Sequence, residues 1–124
     1  MKVRAAIVCA IVLGAAPLGA QAHHSYAMFD RSKTVTLNGV VKQYQWTNPH
    51  SWIQLTVPND AGAADEWSIE MGSPFELLRV GWTTTTVKAG DKVSIQIHPV
   101  KDGTKGGGFV SGTDAAGHAL GGGK

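Results

Sequence analysis

An all-β domain with one short helix is what this sequence predicts, and three observations carry the prediction. Apolar and polar residues alternate with a period of two over several short stretches. The clearest sets Ile53, Leu55 and Val57 against Trp52, Gln54 and Thr56. A single capping-box signal, Ser73-Pro74-Phe75-Glu76, interrupts these stretches after the third of them. Asn38-Gly39 breaks a long first segment whose β-rich pattern resumes at once with Val40-Val41. Five β-segments with a helix between the third and fourth is the order of a five-stranded OB-fold-like barrel. An open β-sandwich is the alternative.

The elements follow in order. Thr34 to Trp46 reads as one long coiled strand, with Asn38-Gly39 as a glycine bulge inside it rather than a hairpin turn. Trp46-Thr47-Asn48-Pro49-His50-Ser51-Trp52 then makes a short connection, because proline pushes the residue before it out of the helical region. His50 to Val57 is the second strand and Glu66 to Met71 the third, with Trp67, Ile69 and Met71 on one face. Ser73 caps a helix over about Pro74–Val80, which Gly81 ends. Thr83 to Thr86 is β-prone but polar. Lys92 to Val100 is the fourth strand, with Val93, Ile95 and Ile97 inward. Lys101 to Gly108 reads as a glycine-rich loop before a last short strand at Phe109-Val110-Ser111.

The first residues point to export. A basic start at Lys2 and Arg4 precedes an uncharged run from Ala5 to Ala20, and Ala20-Gln21-Ala22 fits a signal-peptidase site. That run is shorter than the roughly 20 residues a membrane span requires. The chain therefore divides into a signal peptide (1–22), an N-terminal arm (23–33), the barrel domain (34–113) and a flexible glycine-rich tail (114–124). No membrane span is expected after cleavage, and the location is periplasmic or secreted. The single Cys9 falls in the signal, so neither a disulfide nor a thiolate metal site is expected in the mature chain. Loss of Lys2 and Arg4 leaves nine basic residues against nine acidic ones. With no Lys/Arg cluster, a nucleic-acid partner is not expected.

Histidines and tryptophans supply the candidate sites. Cleavage after Ala22 would give His23 a free amine beside its imidazole, with His24 adjacent. A nitrogen-rich site of this kind favours copper. His50 and His98, at the ends of the second and fourth strands, are the further metal candidates. A histidine doublet in a loose arm, and a strand-end histidine in an ordinary polar contact, are the plainer readings. Trp46, Asn48 and Trp52 are candidate ligand or partner contacts, since an outward indole can stack on a ring. Packing of these indoles against the arm through Tyr26 and Phe29 is the simpler alternative. No nucleophile motif is present, and Gly103 to Gly108 precedes a strand where a phosphate loop would precede a helix.

Several segments resemble a family of small exported bacterial proteins catalogued as a domain of unknown function. They are Ala22-His23-His24-Ser25-Tyr26, Thr36-Leu37-Asn38-Gly39-Val40-Val41, Asn48-Pro49-His50-Ser51-Trp52 and Glu66-Trp67-Ser68-Ile69-Glu70. The resemblance covers nearly all of the chain after the signal and implies an exported domain with no assigned activity. The combined expectation is a non-enzymatic binding or accessory domain of the cell envelope, with an envelope protein or a small ligand as partner and copper as the favoured metal. A small metal-dependent enzyme and a structural subunit of an envelope complex are the alternatives.

Overall fold

The computed structural model describes residues 27–121. Within them the chain runs β1 (Val35–Gln45), β2 (Trp52–Pro58), β3 (Ala64–Glu70), α1 (Pro74–Arg79), β4 (Lys92–Pro99) and β5 (Gly106–Asp114). The strands close into a barrel in the order β1-β2-β3-β5-β4, and β4 returns to β1. β3 and β5 pair in parallel and every other pair is antiparallel. This is the five-stranded, OB-like barrel that the element order predicts. The signal peptide, His23, His24 and Tyr26 lie outside the described residues.

Period-two alternation builds the core. Leu37 and Val41 of β1, Ile53 and Leu55 of β2, Ile69 of β3, and Val93, Ile95 and Ile97 of β4 all point inward and are buried. α1 closes one end with a single buried side chain, Leu77. Its cap is the predicted box: Glu76 N–H donates to Ser73 Oγ (3.3 Å) and Ser73 N–H donates to Glu76 Oε2 (2.8 Å). Gly81, at φ 82°, lets the chain leave the helix. Trp82 then turns inward and is only 3% exposed, its ring edge-on to Phe109 at 5.3 Å. Tyr44 packs near both Trp46 and Trp82, and burial pushes its phenol up to about 12.

Three sequence expectations are corrected. The β1 bulge falls at Lys42, where the register with β2 shifts, and not at Asn38-Gly39. Gly39 is instead a point of close approach, since a Cβ there would strike the carbonyl oxygen of Thr56. Trp67 lies half-buried against the core, and the fully enclosed indole is Trp82. Thr83–Thr86 is a turn closed by Thr86 Oγ1, which accepts from Thr83 N–H (2.8 Å). The stretch Gly106–Gly108, read as loop, is the start of β5.

Beyond β5 the chain stays on the barrel as far as Gly121. Leu120 N–H donates to Gly112 O (2.9 Å), and the Leu120 side chain packs on the core. An apolar residue among glycines anchors the segment.

Replacement of the enclosed indole, Trp82→Ala, is expected to destabilise the fold by about 3–5 kcal/mol, with Trp67→Ala costing clearly less. Urea unfolding of the two variants checks this; an equal loss would place both rings at the same depth.

Candidate functional site

The site is built where the arm crosses the barrel. Asp30 N–H donates to Pro99 O (2.8 Å), Lys101 N–H donates to Met28 O (2.9 Å), and Phe29 bridges to Val100. These bonds lay Met28–Asp30 antiparallel along the end of β4. Phe29 is thereby buried, its ring over Gly108 of β5, where a Cβ would sit 3.1 Å from the ring. So Phe29 packs on a glycine of β5, and not on Trp46 or Trp52 as the arm reading anticipated.

Strand register places the polar groups. Trp52, Glu70, Gly108 and His98 lie in one row across β2, β3, β5 and β4. Residues in register share a face, so Glu70 and His98 stand on opposite sides of the Phe29 ring, two strand spacings or roughly 9–10 Å apart. Each is held. Glu70, only 9% exposed, pairs with His50 through Nδ1. His98 Nδ1 lies 2.7 Å from Lys33 O; a carbonyl only accepts, so Nδ1 donates and Nε2 is the ring nitrogen left over.

A pocket of about 370 Å³ opens beside this row. Phe29, Met71, Leu77, Phe109 and Val110 make its apolar wall, and Arg31, Glu70 and His98 its polar groups. Val110 reaches the rim because it is the extra residue of a bulge, opposite the step from Gln96 to Ile97. Asp30 fixes the start of the next turn. Hydrogen bonds from Ser32, with Lys33 beside it, lower its carboxyl to about 2. Glu76 is held low chiefly by the Ser73 backbone and hydroxyl, with His50 adding a favourable charge.

The remaining sequence candidates lie elsewhere. Trp46 packs on the core and against Tyr44 (5.9 Å), while Trp52 is half-buried on the outward face. Asn48 is exposed and precedes Pro49 by a cis peptide. None of the three lines the pocket. Thr47 Oγ1 donates to His50 O (2.7 Å), which fixes the turn that carries His50. Among the described residues no group of three His, Cys, Asp or Glu is placed to hold a metal ion. Sequence reasoning missed Glu70, Phe29 and Arg31. Glu70 alone carried a signal, as a carboxylate closing a strand whose end, in an antiparallel pair with β2, returns beside the His50 turn.

Comparison with known proteins adds a family and a fold. A family of unknown function (DUF6152) matches residues 10–109. None of the curated proteins compared matches. A crystal structure of the mitochondrial single-stranded DNA binding protein Rim1 from S. cerevisiae is similar, with a TM-score of 0.52 and 10% identity. The match covers 67% of this chain and 93% of that one, a likeness that extends to the fold alone.

The near-buried pair sets an expected outcome. His50→Ala leaves the Glu70 carboxylate without its imidazole and is expected to cost about 1–3 kcal/mol. Combined with Glu70→Gln, the loss should fall short of the sum of the single losses. Urea unfolding of the four proteins measures this; strict additivity would show that the two side chains do not interact.

Proposed function

The chain belongs to the family of unknown function DUF6152, and from that premise we propose that it is an exported, non-enzymatic binding domain of the cell envelope. Its ligand is a small, partly apolar molecule held in the pocket beside Phe29. The observation that carries this reading is the pocket itself: an apolar wall on which Arg31, Glu70 and His98 converge. A concave apolar site with a few convergent polar groups is the usual form of a small-molecule site. The basic, apolar and Ala-x-Ala start supports export. The likeness to a single-stranded DNA binding protein raises nucleic acid as a partner, and the charge distribution speaks against it. Lys33, Lys42, Lys88 and Lys105 are each paired with a carboxylate of the same chain, which leaves fewer cations for a phosphate backbone.

A second reading is copper binding through His23, with His24 and with His50 or His98. It is favoured by the way the imidazoles of His50 and His98 are held, each with Nδ1 engaged by a protein acceptor. Metal-binding histidines are commonly oriented in this manner, with the other nitrogen left for the metal. The described residues supply no complete site, so this reading depends on the amine and imidazole of a cleaved His23.

Two measurements test these readings. Protein recovered from its native compartment should have the intact mass of residues 23–124 and should bind small amphiphiles with chemical-shift changes at Gly108, Phe109 and Val110. Retention of residues 1–22 would reject export, and shifts confined to other strands would reject the pocket. Copper titration of protein beginning at His23 should give tighter binding than protein with one residue added before it. Equal affinity would remove the amine from the site.

A further inference from the structure

We infer that the occupant of this pocket is an amphiphilic organic anion, its head on the Arg31 guanidinium and its apolar body against Phe29, Leu77 and Phe109. The inference rests on the pocket reading above and adds the charge and shape of the ligand.

Three ionisable side chains face the pocket, and two are already engaged. Glu70 is paired with His50, and His98 gives its Nδ1 proton to Lys33 O. Arg31 is exposed at the pocket and makes no hydrogen bond or ion pair among the described residues. The nearest carboxylate in sequence, Asp30, does not serve it. Asp30 accepts from Ser32 N–H (3.1 Å) and Ser32 Oγ (2.6 Å), and its other oxygen pairs with Lys33 at 3.1 Å. The turn therefore spends its one acid on Ser32 and Lys33 and presents the arginine fork outward. A guanidinium without a carboxylate, set at the edge of an apolar cavity, is suited to two parallel hydrogen bonds from a planar anion.

Polarity then sets the orientation. Arg31 lies on the same turn as Lys33, whose carbonyl holds His98, so the positive end of the pocket is the His98 side. Glu70 stands across the Phe29 ring, and its charge would repel an anionic head placed there. Between the two ends the wall is Phe29, Met71, Leu77 and Phe109, with exposed Val110 at the rim. One charged end and one apolar body fit this division; a dianion or a cation does not. A volume of about 370 Å³ lies near the lower limit of small-molecule sites, roughly 300 Å³, so the body is compact.

The test titrates the protein with octanoate, 1-octanol and octylammonium, three probes of one chain length that differ in head charge. Tryptophan fluorescence reports binding, because the Trp82 ring contacts Phe109 of the pocket wall; amide shifts of Gly108 to Val110 place it. Octanoate is expected to bind tighter than octanol, and octanol tighter than octylammonium. Arg31→Gln should weaken octanoate about two- to five-fold, the effect of an exposed ion pair of up to about 1 kcal/mol, and leave octanol unchanged. Raised salt should erode the octanoate preference and leave the electrostatics of octanol binding untouched. Equal affinity for octanoate and octanol, or an Arg31→Gln variant that binds octanoate as before, overturns the inference while the pocket reading stands. Failure of all three probes to bind overturns the pocket reading with it.

Discussion

Closure of the barrel depends on three consecutive residues without side chains. β5 has to enter between β3, in parallel, and β4, in antiparallel, and it does so at Gly106–Gly108. A Cβ on Gly107 would lie 2.5 Å from His98 O and 2.6 Å from Ile97 Cδ1, distances that real side chains do not adopt. One on Gly106 would press on Ser68 O at 3.1 Å. Strand interiors normally disfavour glycine, because its flexible backbone is costly to order and it contributes no side-chain packing. Here that cost is offset by the ladder the glycines permit, since a five-stranded sheet left open at β3–β5 would expose the inward faces of Ile69 and Ile97.

The same glycines position the pocket. Gly108 leaves a flat seat on the outer side of β5, and Phe29 fills it. Once the ring is seated, the backbone of Met28–Asp30 can hydrogen-bond to Pro99 and Lys101, and the turn that follows brings Lys33 O onto His98 and Arg31 onto the pocket. Each step requires the one before it. A side chain at residue 108 would lift Phe29, and the arm contacts beyond it would go with it.

Much of the fold was legible because its signals are local. Alternation in 52–58 and 92–98 and the Ser73–Glu76 box depend on neighbours a few residues apart, and the structure keeps them. What escaped depends on partners distant in sequence. A run of glycines is ordinarily a loop, and nothing near residues 106–108 tells that two strands will crowd it from both sides. Gly39 was noticed and misassigned for a similar reason: its constraint is Thr56 O, 17 positions away. Trp82 follows a helix end and has no alternating context, so its burial could not be read from periodicity. The candidate site was less legible still. His50 and His98 were visible as residues, but Glu70, which meets one and shares a strand row with the other, emerges only from the register of four strands.

Register also decides how the two faces of this barrel relate. In OB-folds the surface of the second and third strands is the common binding face. Here that surface carries Trp52, Gln54 and Ser68, with Gln54 Nε2 donating to Gln45 Oε1 of β1 at 2.9 Å. Its bordering charges are matched internally, Lys42 by Glu66 and Lys105 by Asp65. A polar face whose charges are already paired has little to attract an ion, whereas the pocket beyond β3 keeps one cation unmatched. Glu70 belongs to both regions, in register with Trp52 on one side and Gly108 on the other. Its pairing with His50 helps an acidic residue sit near-buried beside an apolar cavity. A buried carboxylate without a partner would carry a large desolvation penalty and would leave the cavity wall strongly negative. With the imidazole in place that negative charge is partly compensated, and the balance of charge at the pocket is set by the arginine on the arm.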